Sequence, residues 1–128
     1  MRRNHHESHS HGSGAGSCRP VQPGHRGNGV LYCSGQIAIN PAEGKIVATT
    51  IEEQAEQCCR NVEAVLKEAG TDMSHVVKTT CFLAEIADFK AFNEVYAKHF
   101  ISKPARSCVA VKDLPAGALC EVEVTAVL

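Results

Sequence analysis

The chain has 128 residues, a formal net charge of −1 and 44% hydrophobic residues. This length indicates a single domain, and the composition is that of a chain with enough apolar residues to bury a core. The near balance of charge argues against a nucleic-acid-binding surface. No apolar run approaches the about 20 residues that a membrane-spanning helix needs. The first residues lack the apolar segment of a secretory signal, so we expect a cytoplasmic protein.

Seven cysteines are distributed along the chain without the paired C-x-x-C spacing of a structural zinc site. Their odd number also argues against a disulfide framework. Most stand in apolar patterns, where a reduced cysteine packs like a small hydrophobic residue. We therefore expect reduced core thiols and no metal site.

Residues 1–28 differ in composition from the rest of the chain, because Gly, Ser, His and Arg dominate there. Five of the seven histidines lie in this segment, which permits two interpretations, a metal-capturing cluster or a solvated tail. The lack of a Cys or carboxylate framework favours the tail. The composition predicts a disordered segment over 1–28 and one folded domain over 29–128.

Strand and helix patterns alternate through the predicted domain. Thr50 with Glu53 three residues later forms a capping box, and Gly70 stands where a glycine ends a helix. The predicted elements are strand pieces at 30–33 and 36–39, a strand at 45–47, a helix between Thr50 and Gly70, a strand at 76–83, a helix at about 88–100, and strands at 106–111 and 120–128. This order predicts a mixed α/β sheet with both helices on one face.

Two charged residues occur in otherwise apolar strands near the end of the chain. Arg106 begins one strand, and Glu121 lies on the next. An arginine matches a carboxylate with two parallel hydrogen bonds, so Arg106 is a candidate anchor for a small acid. An ion pair that ties Arg106 to Glu121 across adjacent strands explains the pattern equally well.

Four further residues are candidates for a binding site. Ser34 and Gly35 have backbone amides that a ligand can bind, although a β-bulge that needs small residues is the simpler explanation. Asn93 lies in an apolar helical stretch, where a ligand contact and a cap to a neighbouring loop are equally plausible. Cys108 is not expected to be a nucleophile, because no histidine is placed near it in the sequence.

Several segments recur together in one known protein family. They are Cys33-Ser34-Gly35-Gln36-Ile37, Val76-Val77-Lys78-Thr79-Thr80, Ala87-Asp88-Phe89, Asn93-Glu94-Val95-Tyr96, Pro104-Ala105-Arg106-Ser107-Cys108-Val109, Leu114-Pro115 and Glu121-Val122-Glu123. With this set the chain resembles the YjgF/RidA family of reactive-intermediate deaminases. The resemblance extends in order from about Asn28 to Leu128.

The resemblance implies a chorismate-mutase-like fold that assembles as a homotrimer with a central barrel and active sites in the clefts between subunits. It implies cofactor-free hydrolysis of 2-imino acids, such as 2-iminobutanoate and 2-iminopropanoate, to 2-oxo acids and ammonia. Arg106 would hold the substrate carboxylate, and Glu121 would orient and deprotonate the attacking water. Ser34, Gly35 and Cys108 would line the pocket, with Asn93 close by. Relatives occur in the cytosol and in mitochondria, which makes a mitochondrial location the alternative.

The chain departs from the family before its first predicted strand. The family has a Gly-Pro-Tyr-Ser-Gln-Ala segment, whereas this chain reads Arg19-Pro20-Val21-Gln22-Pro23-Gly24. Back-translating residues 17–26 with permitted codons and shifting the frame by one nucleotide gives Ala-Val-Gly-Pro-Tyr-Ser-Gln-Ala-Ile-Val. We therefore hypothesise that residues 1–28 are an out-of-frame translation. A transcript that encodes Met1 to Gly27 in frame would refute this hypothesis.

Two other functions fit the same residues. The first is a non-catalytic trimer of the same fold that binds a small acid or another protein, with Arg106 as the anchor. The second follows from the family, some members of which are described as ribonucleases or inhibitors of translation. The net charge of −1 and the lack of an aromatic and basic run argue against RNA binding.

Overall fold

The computed structural model describes residues 24–128. Its helices and strands are β1 (Gly24–Gly27), β2 (Val30–Gln36), β3 (Ile39–Asn40), β4 (Lys45–Ile46), α1 (Ile51–Glu68), β5 (Val76–Leu83), α2 (Phe89–His99), β6 (Ala105–Ala110) and β7 (Cys120–Val127). Five strands form one sheet in the order β1-β2-β7-β5-β6, and β3 pairs with β4 separately. Only β5 and β6 run parallel within the five-stranded sheet, so the predicted mixed sheet is confirmed.

The sheet begins earlier than the sequence pattern indicates. Strand β1 pairs with β2 through a turn at Asn28 and Gly29, which both have positive φ, at 55° and 79°. A tight hairpin turn requires this backbone conformation, and Asn-Gly is the sequence that adopts it most readily. Residues 24–28, which we assigned to the tail, therefore belong to this hairpin. Residues 1–23, the remainder of the predicted tail, lie outside the described residues.

Helix α1 has the ends that its sequence predicts. The Glu53 N–H donates to Oγ1 of Thr50 at 3.2 Å, so Thr50 caps the first turn. At the other end Gly70 has a φ of 87°, and its N–H donates to the Lys67 carbonyl at 3.0 Å. A side chain would be strained in this left-handed conformation, which is why a glycine ends the helix.

Both helices pack on one face of the sheet, as predicted. Along β7 the side chains of Val122, Val124 and Ala126 are buried in the core, whereas those of Glu121 and Glu123 point to the opposite face. Helices α1 and α2 are also joined at their surface, because Glu56 accepts a hydrogen bond from His99 at 2.8 Å. Helix α2 contacts β5 and β6 through Tyr96, which lies against Thr79 and Arg106.

The core contains an unusual number of thiols. All six cysteines in residues 24–128 are free. Cys58 and Cys120 are fully buried, and their Sγ atoms lie 3.7 Å apart. Burial raises the pKa of Cys81 to about 12. The Cys81 thiol is therefore neutral at physiological pH, and the buried cysteines pack as small hydrophobic groups.

The face of the sheet without helices exposes apolar side chains. Tyr32, Val109 and Val127 lie there and are 57%, 46% and 38% exposed. Apolar side chains grouped on one sheet face are typical of a surface that contacts another protein. Within residues 24–128, neither helix has both the length and the apolar character needed to cross a membrane.

Candidate functional site

Arg106 is the second residue of β6, and helix α2 holds its guanidinium group. Nη1 of Arg106 donates to Oδ1 of Asn93 at 2.5 Å. The guanidinium carbon also lies 4.6 Å from the centre of the Tyr96 ring and 5.5 Å from that of Phe89. Positions 89, 93 and 96 follow the spacing of one helix face, so a single face of α2 supplies all three contacts. Asn93 thus binds Arg106, which neither sequence interpretation of this residue predicts.

A cavity of about 620 Å³ opens beside Arg106. Its walls are largely apolar and come from the end of α2 and the segment that follows, with Ala97, Phe100, Ile101 and Pro104 among them. Arg106 and Lys103 are the cations that line it. The cavity therefore suits a small anion that carries an apolar portion.

Cys108 lies two residues beyond Arg106, on the same face of the sheet. It is partly buried and pairs in register with Cys81 of β5. Burial raises the pKa of the Cys108 thiol, and the nearby Arg106 charge opposes this only in part. A neutral thiol is a weak nucleophile, so Cys108 is suited to lining a pocket rather than to covalent chemistry.

Glu121 lies near the start of β7, directly over Gly35. The pairing of β2 with β7 shifts register between Cys33 and Gln36, which places Ser34 and Gly35 in a bulge. A Cβ atom on Gly35 would lie 1.9 Å from Oε2 of Glu121, so a side chain at this position would displace the carboxylate. A glycine at position 35 therefore lets the Glu121 carboxylate lie directly against the backbone of the bulge.

The half-buried Glu121 carboxyl has a raised pKa. The main cause is removal of the carboxylate from water, and the negative charge of Glu123 adds to it. A raised pKa makes a carboxylate a stronger base, which suits a group that must accept a proton near neutral pH.

Arg106 and Glu121 do not meet within one chain. Strand β5 lies between β6 and β7, so our interpretation that an ion pair ties these residues across adjacent strands is wrong. Strand pairing places Arg106 of β6 beside the buried Thr79 of β5 and Glu121 of β7 beside Phe82 of β5. The side chains of Thr79 and Phe82 point to opposite faces of the sheet, because the two residues are three positions apart in one strand. Paired residues point to the same face, so the two charged side chains lie on opposite faces of the sheet.

The candidate residues thus form two separate groups. We call Asn93, Arg106 and Cys108 the arginine half-site, and Ser34, Gly35 and Glu121 the glutamate half-site. We did not predict Tyr96 as a site residue, although it contacts Arg106. An aromatic residue at helical spacing has the pattern of a core residue, and only its offset of three from Asn93 indicates a shared face.

Comparisons with known proteins place the chain in one family, whose members have names that give different activities. The family model described as endoribonuclease L-PSP matches residues 18–128. The human protein named 2-iminobutanoate/2-iminopropanoate deaminase is 43% identical over 98 residues, which cover 76% of this chain and 72% of that protein. The Yersinia pestis protein YyfA, described as a protein of unknown function of the conserved Rid family, has a crystal structure that superposes with a TM-score of 0.88 at 41% identity, covering 93% of this chain and 96% of that one.

A plant relative shows that location varies among these proteins. The Arabidopsis thaliana protein named Reactive Intermediate Deaminase A, chloroplastic, is 43% identical over 110 residues, which cover 85% of this chain and 59% of that protein. Its name gives a compartment different from the cytoplasm or mitochondrion that we predicted. Similarity to these relatives therefore does not fix a compartment.

Proposed function

Because this chain belongs to the YjgF/RidA family, we propose that it hydrolyses reactive 2-imino acids, such as 2-iminobutanoate and 2-iminopropanoate, to 2-oxo acids and ammonia. The observation that carries the proposal is the Arg106 guanidinium, held by Asn93 and Tyr96 at the edge of a partly apolar cavity. A 2-imino acid is a small carboxylate with a short apolar side chain, and both parts match this cavity.

The proposed reaction needs one anchor and one base. Arg106 binds the substrate carboxylate and holds the imine carbon in place. Glu121 accepts a proton from water as the water oxygen bonds to that carbon, giving a tetrahedral carbinolamine. Glu121 then gives that proton to the nitrogen and accepts the hydroxyl proton as the carbonyl forms, while the carbon–nitrogen bond breaks and ammonia leaves. A protonated imine is already electrophilic, so positioning and one general base are sufficient and the reaction proceeds without a cofactor or metal.

We further propose that the working site forms between subunits of a homotrimer. Arg106 and Glu121 lie on opposite faces of one sheet, so a second copy must bring its glutamate half-site to the arginine half-site of the first. The exposed apolar residues on the helix-free face support such assembly. Each contact joins two different surfaces, and three contacts of this kind close into a ring with three equal clefts.

The family description favours a second candidate, endoribonuclease activity. Cleavage of RNA requires binding to a phosphate backbone, and the net charge of −1 provides little attraction for it. The two candidates differ in their use of Arg106. An Arg106→Ala variant loses deamination under the proposal, whereas RNA cleavage through another surface persists.

The proposal is tested by release of 2-oxobutanoate and ammonia from 2-iminobutanoate that a pyridoxal-phosphate dehydratase generates in the same solution. The rate must exceed that of spontaneous hydrolysis without the protein. A second protein, in which Ala-Val-Gly-Pro-Tyr-Ser-Gln-Ala-Ile-Val replaces residues 17–26, is measured beside it. Acceleration by both shows that the arginine and glutamate half-sites suffice, and acceleration by the replaced form alone assigns a role to the replaced segment. If neither accelerates the reaction, the proposal is wrong.

We predict that Gly35→Ala lowers kcat by about 10²-fold, because the added methyl group displaces the Glu121 carboxylate from its position. The matched control is Gly24→Ala, whose Cβ would meet the flexible end of the buried Leu31 at 3.1 Å, on the core side of the sheet and not on the Glu121 side. Steady-state kinetics and thermal unfolding are measured for both variants. Unchanged kcat in Gly35→Ala would contradict the role assigned to the position of Glu121.

A further inference from the structure

We propose that Tyr96 is a positioning residue for Arg106 and that Thr79 fixes Tyr96 in place. This inference rests on the proposed function, in which Arg106 binds the substrate carboxylate. An arginine side chain has several rotatable bonds, and binding is stronger when its donors are already aligned. Contacts with neighbouring side chains can restrict rotation about those bonds before the substrate arrives.

The Tyr96 ring lies next to the guanidinium and is itself held firmly. It is 9% exposed, its centre is 4.6 Å from the guanidinium carbon, and the Phe100 ring stacks on it with centres 4.3 Å apart and planes at 23°. An aromatic face attracts a cation and leaves the N–H groups at the edge of the guanidinium plane open to other partners. Asn93 accepts from one of these N–H groups. The ring therefore orients the remaining donors without occupying them.

The hydroxyl of Tyr96 is tied to the sheet. Its Oη atom lies 2.7 Å from Oγ1 of Thr79, which is 1% exposed. Two buried hydroxyls thus satisfy each other, and the pKa of Tyr96 is raised by burial, so the phenol remains neutral at physiological pH. Because this bond fixes the outer end of the side chain, the ring cannot swing away from Arg106.

Thr79 and Arg106 are directly paired in the sheet. They occupy the same register position of the parallel strands β5 and β6. Strand pairing joins Arg106 to Thr79, a hydrogen bond joins Thr79 to the Tyr96 hydroxyl, and the Tyr96 ring packs against the Arg106 guanidinium. The three residues therefore form a closed ring of contacts. This ring of contacts includes Arg106 and lies on the opposite face of the sheet from Glu121, so it acts on substrate binding and leaves the base unaffected.

The test uses Tyr96→Phe, Thr79→Val and the double variant. The control is Thr50→Val, which also removes one hydrogen-bonded hydroxyl but at the start of α1, outside both half-sites. For each protein we would measure kcat and KM with 2-iminobutanoate, Kd for 2-oxobutanoate by calorimetry, and thermal stability. We expect each single variant to raise KM and Kd together by about 5- to 20-fold while kcat stays within about twofold. Thr50→Val should lower thermal stability and leave KM and Kd unchanged.

The double variant separates positioning from stability. Each single substitution leaves one buried hydroxyl without its partner, whereas the double variant removes both, so part of the lost stability should return. Under the proposal KM and Kd remain raised in the double variant, by no more than in the single variants, because both substitutions break one bond. If KM and Kd recover together with stability, or never change, the positioning role is overturned.

Failure of the positioning role can be distinguished from failure of the proposed function. If the wild-type protein binds 2-oxobutanoate with a Kd that depends on Tyr96 but hydrolyses no imine, the deaminase proposal fails and the positioning role stands. If it hydrolyses the imine and Tyr96→Phe leaves KM and Kd unchanged, the deaminase proposal stands and the positioning role fails. A wild-type protein that neither binds the acid nor hydrolyses the imine refutes both.

Discussion

An Arg106→Ala variant is expected to lose about 10³-fold in kcat/KM for 2-iminobutanoate, because the substrate carboxylate loses a charged and bidentate partner in a partly desolvated cavity. The variant should still fold, since the Arg106 side chain is only partly buried and makes its contacts at the surface of α2. Steady-state kinetics and thermal unfolding of the same sample check both statements.

Two further variants define what Arg106 contributes. Arg106→Lys retains the positive charge but has no planar pair of donors, so we expect it to recover only part of the lost kcat/KM. Lys103→Ala removes the other cation that lines the cavity and serves as the matched control. If Lys103→Ala proves as damaging as Arg106→Ala, the total charge of the cavity rather than the guanidinium geometry is responsible.

Glu121→Gln is expected to lower kcat by about 10²- to 10⁴-fold, the usual contribution of a general base, with a much smaller change in KM. Glutamine has the same shape and still fits over Gly35, so the change removes the base without disturbing the bulge. A variant that keeps full kcat would refute the assignment of Glu121. One that loses binding but not kcat would make Glu121 a substrate ligand.

The raised pKa of Glu121 also sets the direction of the pH dependence. The base must be deprotonated, so kcat should rise with pH through a pKa above the ordinary value of 4.5. Glu123→Gln, the control on the same strand face, removes the negative charge that helps to raise the pKa of Glu121. It should keep its activity, and the acid limb of its pH profile should move to lower pH.

Mixing the two inactive variants tests the proposed assembly. If each cleft takes Arg106 from one subunit and Glu121 from the next, randomly mixed trimers of Arg106→Ala and Glu121→Gln should recover about a quarter of wild-type activity, because that share of clefts receives both intact residues. The mixture is unfolded, refolded and assayed beside each variant treated alone. No recovery in correctly assembled hybrids would mean that both residues act in the same subunit or that the site forms elsewhere.

The helices and most strands could be predicted because their signals are local. The Thr50 cap, the glycine at position 70 and the alternation along 120–128 each depend on neighbours within a few residues. Strand β1, Gly24–Gly27, lacks such an alternation. The Asn-Gly turn that follows it is a local signal of a hairpin, but we assigned this stretch to the tail on its composition.

The arrangement of the site depends on information that is not local. Strands β6 and β7 follow each other in sequence, which suggested that Arg106 and Glu121 were neighbours. Helix α2, however, crosses over between β5 and β6 and makes them parallel, and β7 then pairs on the other side of β5. A shift of one residue in register changes the face on which a side chain lies. The sequence therefore singled out Arg106 and Glu121 as candidates but did not predict that they lie on two different faces.

The buried thiols provide an internal reporter of conformational opening. Of the six cysteines in residues 24–128, Cys108 alone is partly exposed, and the others are at most 4% exposed. A thiol reagent should therefore modify Cys108 before the other five, whereas each of the others must wait until α1, β2, β5 or β7 separates from the core. Because such openings have their own free energies, the labelling rate of each cysteine measures how often its part of the fold comes apart, without any engineered probe.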